Sequence, residues 1–207
     1  MSQFEIIFVR HGEAESSFGI HQDPALSENG IAQSLKLIEH GGLQSLESFT
    51  FLSSPKLRAI ETAKPIAKKF NKLIKIDETF IEIPSKNIEI SKKQEWLKQI
   101  VETKKNQLPD NIKLWEKNIF KKIQSFQQNT IIFSHFMVIN SIISTLSNSK
   151  NLLYFYPDYT SVTKIINING SYLFFSIVLL FISVLFRSIR LQWIIAPIDR
   201  GITINNS

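Results

Sequence analysis

Two histidines in this chain each close a short apolar run. One stands in Phe8-Val9-Arg10-His11-Gly12-Glu13, the other in Ile132-Phe133-Ser134-His135. Neutral imidazole is a nucleophile near pH 7 and can carry a covalent intermediate. A solitary histidine in such a place is more often only hydrogen-bonded within a turn. His11 differs because of what accompanies it. Lysine and arginine total 24, only 5 of them arginine, and Arg10 and Arg58 are the two that precede Phe186. Lysine would serve wherever a point charge suffices. Arginine adds a planar fork that grips phosphate or carboxylate through two parallel hydrogen bonds. Two forks and two imidazoles around one point would make a pocket for a dianion, with positive charge to stabilise a phosphoryl group in transit. Glu82 lies in Phe80-Ile81-Glu82-Ile83-Pro84. Bulky apolar neighbours desolvate a carboxyl and raise its pKa, which suits a general acid. The plainer alternative is a surface glutamate on a strand.

These residues can act together only if the fold brings them to one place. Phe4 to Val9 reads as a buried strand, and Ser27 as the cap of a helix through Ile31, Leu35 and Leu37 that Gly41-Gly42 ends. Phe49 to Leu52 is a short strand. Pro55 opens a helix whose stripe is Leu57, Ile60, Ala63, Ile66 and Ala67. Leu73 to Ile76 is a strand. Helices follow over Ser91 to Thr103 and Asn111 to Phe126, with Trp96 and Trp115 packed between them. Thr130 to Phe133 is a strand and Val138 to Leu146 a helix. Leu152 to Tyr156 and Ser161 to Ile168 read as further strands. Alternation of this kind predicts a three-layer, doubly wound α/β fold, a mostly parallel sheet with helices on both faces. Ligands in such folds sit at the carboxyl ends of the strands. Arg10-His11, Ser53-Ser54 and Ser134-His135 therefore share one rim.

Four segments, in this order, resemble the histidine phosphatase superfamily, whose fold is phosphoglycerate mutase-like. They are Phe8 to Glu13, Asp23-Pro24-Ala25-Leu26-Ser27-Glu28-Asn29-Gly30, Ser53-Ser54-Pro55-Lys56-Leu57-Arg58-Ala59-Ile60-Glu61-Thr62-Ala63, and Ile132 to His135. The resemblance covers roughly residues 1–168. It implies a phosphatase acting on small phosphate monoesters through a phosphohistidine on His11. Arg10, Arg58 and His135 would clamp the phosphate, and Glu82 would donate the proton to the leaving oxygen. Neither metal nor other cofactor is implied. Ala14 and Ser17 stand where the family often has threonine and asparagine, so Ser17 is the expected, altered phosphate contact. Phe136 replaces a common glycine after the second histidine and suggests a bulkier pocket wall. The short stretch from Glu82 to Thr130 resembles the compact phosphatases more than mutases with large insertions. A phosphoglycerate-type mutase and a non-catalytic phosphate-binding module are the alternatives. His21 and His40 read as surface residues.

Composition narrows the partners. The net charge is +6, and hydrophobic residues make up 43%, the balance of a globular protein with anionic partners. The lysines are scattered without aromatic platforms, which argues against nucleic acid. No cysteine is present, in keeping with a reducing, cytoplasmic setting. The N-terminus lacks the charged and apolar regions of a signal peptide. Residues 169–207 differ from the rest. Ile165 to Phe186 is free of charge, no lysine follows Lys164, and Arg187, Arg190 and Arg200 come together. Three readings compete: a membrane anchor, a terminal element packed on the domain, or a shifted reading frame. The arginines after the apolar run oppose the first, and the change of residue usage where the resemblance ends favours the third. Truncation after Gly170 is expected to leave phosphatase activity largely intact. Unfolding of the shortened chain in a thermal melt would place the tail in the core instead.

Overall fold

The computed structural model describes residues 3–18 and 20–168. Its strands are β1 (Gln3–Arg10), β2 (Thr50–Ser53), β3 (Ile74–Ile76), β4 (Thr130–Ser134) and β5 (Val162–Ile168). Its helices are α1 (Glu28–Lys36), α2 (Leu57–Lys69), α3 (Lys93–Glu102), α4 (Asp110–Gln124) and α5 (Phe136–Leu146). The strands form one sheet in the order β3-β2-β4-β1-β5. The first four run parallel, and β5 closes the edge antiparallel to β1.

Strand β1 explains the layering. Its side chains alternate between faces, yet Ile6, Ile7, Phe8 and Val9 are all buried, because both faces are covered. Ile6 and Phe8 join the cluster built with α4 and α5, including Ile112, Ile119 and Val138. Ile7 and Val9 join the opposite cluster with Leu37, Ala63 and Ile66. The fold is thus the three-layer, mostly parallel α/β arrangement expected. Trp115 is buried in the first cluster and Trp96 packs against it, as their positions on the paired helices predict.

Three local expectations are corrected. Leu152 to Tyr156 is not a strand. Its backbone runs as a loop, and the N–H groups of Tyr154 and Phe155 donate instead to the side-chain oxygen of Asn140, at 2.8 and 3.1 Å. A β-rich composition does not supply a partner edge, and this segment finds an amide. Helix α1 begins on the Ser27 cap as expected, with Ser27 Oγ 3.0 Å from the Gly30 nitrogen, but it ends at Lys36. Gly41-Gly42 belongs to a separate short 3₁₀ turn. Ile31 and Leu35 face outward, 50% and 52% exposed, while Gly30 and Ser34 form the buried side.

That orientation has a steric cause. The inner face of α1 lies backbone to backbone against the loop after β1. A Cβ on Gly30 would sit 2.0 Å from the Glu13 carbonyl oxygen, and one on Gly12 would sit 2.7 Å from the Gly30 carbonyl oxygen. Only glycine fits at either position. Ser27 Oγ and Asn29 Nδ2 then donate to the two oxygens of the Glu13 carboxylate, at 3.0 and 2.9 Å. The second motif therefore clamps the loop that bears His11. Among the described residues no helix is long and apolar enough to cross a membrane. The unusual tail, residues 169–207, lies outside the described residues.

Gly30→Ala must move the loop or the helix. A loss of about 1–3 kcal/mol, the usual cost of overpacking, is expected in chemical denaturation. An unchanged midpoint would contradict the close approach.

Candidate active site

Parallel register sets the site. Arg10 pairs with Ser134 across β1 and β4, and the His11 nitrogen donates to the Ser134 carbonyl at 2.9 Å. The residues that follow these strand ends, His11 and His135, are therefore neighbours, with ring centroids 5.2 Å apart. Strand β2 pairs with β4 on its other side, and the Ser54 nitrogen donates to Phe133 at 2.9 Å. Ser54 thus reaches the same rim, from which the chain enters α2 and brings in Arg58. Threonine 62, one turn along α2, receives the Gly12 N–H at 2.9 Å and donates to the Arg58 carbonyl at 2.7 Å. That pair fixes the His11 loop to the arginine's own helix.

Arg58 spans the two rings. Its Nε donates to His11 Nε2 at 3.1 Å, and its Nη2 lies 3.2 Å from His135 Nδ1. All three side chains are buried, with His135 wholly so. The tautomers follow from these contacts. His11 Nδ1 lies 2.7 Å from the Gly12 carbonyl. A carbonyl only accepts, so Nδ1 carries the proton and Nε2 presents its lone pair. His135 accepts from Arg58 at Nδ1, so its Nε2–H donates to Ser54 Oγ at 2.7 Å. Burial, reinforced by the Arg58 charge, lowers the His11 pKa from 6.5 to about 3. The same two causes hold His135 well below the ordinary imidazole range. Both rings are uncharged at neutral pH.

Glu82 is not a surface residue. Its side chain is 12% exposed, and its Oε2 lies 3.9 Å from His135 Nδ1. Its Oε1 accepts from the Ile83 nitrogen at 3.0 Å. Burial raises its pKa; the Arg58 and Arg10 charges and the Ile83 and Met137 backbone groups oppose the rise. The segment is pinned from two sides. Ser134 Oγ donates to the Phe80 carbonyl at 2.9 Å, and Trp115 Nε1 donates to the Ile81 carbonyl at 3.1 Å. Trp115 thus both packs the core and holds the carbonyl next to Glu82.

Arg10 enters from the β5 side. Its guanidinium lies over the Tyr159 ring, 4.1 Å from the centroid, and 5.1 Å from that of Phe136. Nη1 donates to the Pro157 carbonyl at 2.7 Å, while the buried Nε has no partner among the described residues. Burial lowers the pKa of both arginines, opposed by Tyr159 and Glu82 for Arg10 and by Glu82 and Asp23 for Arg58. The Arg10 charge reaches both imidazoles and the Glu82 carboxyl. Five of the six expected site residues, Arg10, His11, Arg58, Glu82 and His135, therefore converge. Ser17 is the sixth, and it is exposed, without a side-chain hydrogen bond to the cluster among the described residues.

Ser54, Thr62, Asp23 and Tyr159 complete the surroundings. Asp23 receives the Leu57 N–H at 3.1 Å and stands 3.8 Å from Arg58 Nη1. The motif segments already contain Asp23, Ser54 and Thr62, but only the fold gives each a partner. Tyr159 carries no signal beyond its place before the last strand. Among the described residues no group of three or more His, Asp or Glu side chains is placed to hold a metal ion. Two cavities, of about 620 and 680 Å³, lie along α4, and neither is lined by the histidines or by Arg58. The chemistry is concentrated at the strand rim. There, two uncharged imidazoles and two cations meet the Glu82 carboxyl, with Asp23 on the outer side of Arg58.

Comparison with known proteins agrees with this geometry. The sequence profile of the histidine phosphatase superfamily (branch 1) matches residues 6–175. The chain belongs to that superfamily, whose members here are phosphatases and mutases. No curated protein sequence matches it significantly. Among solved structures it is similar to Bacillus stearothermophilus YhfR, at 19% identity and TM-score 0.68, over 84% of this chain and 95% of that one. Phosphoserine phosphatase from Entamoeba histolytica, in complex with 3-phosphoglyceric acid, is 23% identical with TM-score 0.59, over 78% and 90%. Phosphoglycerate mutase from Bacillus anthracis is 19% identical with TM-score 0.59, over 81% and 89%. At these identities the likeness is one of fold.

Proposed function

We propose that this chain hydrolyses small phosphate monoesters in two steps through a phosphohistidine on His11. The observation that carries the reading is the fixed tautomer of His11. Its Nδ1–H is committed to the Gly12 carbonyl, and its Nε2 lone pair lies beside Arg58. A phosphate dianion is a stronger acceptor than an imidazole nitrogen. On binding it draws the Arg58 hydrogen bonds to its own oxygens and frees Nε2 to attack phosphorus.

In the first step the N–P bond forms as the P–O bond to the alcohol breaks. The electron pair leaves with the alcohol oxygen, which takes the Glu82 proton. The phosphorylated ring is cationic, and Nδ1–H to the Gly12 carbonyl stabilises it. Water then attacks phosphorus, Glu82 takes its proton, and the N–P electron pair returns to Nε2. Arg10 and Arg58 hold the equatorial oxygens, where charge accumulates. His135 lines the same anion site, with its orientation set by Ser54 Oγ. Residues 1–168 form the catalytic domain in this reading, and Ser17, exposed and apart from the cluster, has no part in it.

The pH dependence has a definite sign. Glu82 must be protonated to act as the acid, and burial raises its pKa. Activity therefore persists above the ordinary carboxylate range and falls as pH rises through the elevated value. His11, with a pKa lowered to about 3, stays unprotonated until the pH falls to that value. Hydrolysis of an aryl phosphate with chelator present tests the account. His11→Ala is expected to abolish turnover, and Glu82→Gln to lower kcat by about 10²–10⁴ and remove the alkaline limb. Full activity in His11→Ala sinks the mechanism. Isomerisation of phosphoglycerate without phosphate release favours a mutase, and phosphate binding without turnover favours a binding module.

A further inference from the structure

Three of the chain's four tyrosines, Tyr154, Tyr156 and Tyr159, fall within six consecutive residues. All three are exposed, Tyr156 at 77%. Their segment is the loop between α5 and β5, and it is tied down at both ends. Asn140, fully buried in α5, accepts the Tyr154 and Phe155 N–H groups and donates to the Phe136 carbonyl at 3.1 Å. Thr160, at positive φ, donates its N–H to the Arg10 carbonyl at 3.1 Å and fixes the far end.

Within this frame the rings form a continuous path out of the site. Tyr159 lies 6.2 Å from the His11 ring and directly under the Arg10 guanidinium. Phe136 lies on the same guanidinium, and Tyr156 lies 5.7 Å from Phe136. The path runs from the phosphate-gripping arginine through Phe136 to the solvent-facing Tyr156. A leaving group projects outward from the phosphate. Its first atoms would meet these rings beside the Arg10 guanidinium.

We propose that Phe136, Tyr156 and Tyr159 form a leaving-group wall that selects phosphomonoesters with a flat aromatic ring attached to the ester oxygen directly or through one carbon. The inference rests on the phosphatase reading and deepens it. The wall begins beside the clamp itself, so the ring it recognises is one close to the phosphate. Offset or edge-to-face packing against these rings supplies the preference.

Benzyl phosphate and cyclohexylmethyl phosphate test the wall, since they match in charge and size and both release a primary alcohol. The native enzyme is expected to favour benzyl phosphate in kcat/KM by about 3- to 10-fold, the range for one aromatic pair. Tyr156→Phe keeps the preference. Tyr156→Leu, which keeps apolar bulk at an exposed position, reduces the ratio toward one. Equal rates on both substrates, unaltered by Tyr156→Leu, overturn the wall and leave the phosphatase reading standing. If neither ester releases phosphate, and aryl and sugar phosphates are also inert, the phosphatase reading fails and takes the wall with it.

Discussion

One guanidinium shared between two buried imidazoles organises this protein. Arg58 has Asp23 at ion-pair distance, 3.8 Å from Nη1, and the Glu82 charge also reaches it, but among the described residues no carboxylate hydrogen-bonds it. Its charge is instead spread over two nitrogen lone pairs, Nε2 of His11 and Nδ1 of His135. Imidazole is a modest acceptor, and a buried cation gains more from an anion. Arg10 is held in the same manner, against two aromatic faces and one carbonyl. Among the described residues the two cations are hydrogen-bonded only by neutral groups in a water-poor place, with Glu82 and Asp23 among the carboxyls whose charges oppose them. Such a place favours a dianion, and burial, reinforced by the Arg58 charge, keeps both imidazoles unprotonated.

The rest of the fold can be understood as what such an arrangement needs. Parallel pairing of β1 with β4 in a fixed register sets the two rings side by side, and Arg58 then bridges them. Gly12 and Gly30 let the His11 loop press against α1, and Thr62 ties that loop to the helix bearing Arg58. Ser134 and Trp115 fix the carbonyls just before Glu82 from opposite directions. Each support is a short hydrogen bond or a close backbone approach made by a rigid element. A site that must bury charge needs this kind of support, because a loose one would let water in and dissipate the pKa shifts.

The sheet and its rim can be read from residue order alone. Buried parallel strands appear as unbroken apolar runs, and the rule for strand ends then locates Arg10, His11, Ser54 and His135. The convergence of Arg58 and Glu82 follows from the same rule together with the resemblance. What residue order does not convey is contact between backbone and side chain. Leu152 to Tyr156 has strand composition, yet the amide of Asn140 takes up its N–H groups. Ile31 and Leu35 are the large apolar residues of α1, yet close glycine contact turns the opposite face inward. Ser17 sits in the right stretch of sequence but on an exposed turn. Glu82 reads as ambiguous because its neighbours in space, Arg58 and His135 among them, come from distant parts of the chain.

The central claim is that a single anion displaces both imidazole lone pairs as the partner of Arg58. Nitrogen-resolved NMR of the histidine rings and arginine Nε groups during titration with inorganic phosphate addresses it most directly. The account predicts that His11, His135 and Arg58 signals shift together along one saturation curve, at one phosphate per chain, with His11 retaining its Nδ1–H. Separate curves for the two rings, or a response from only one of them, would contradict it.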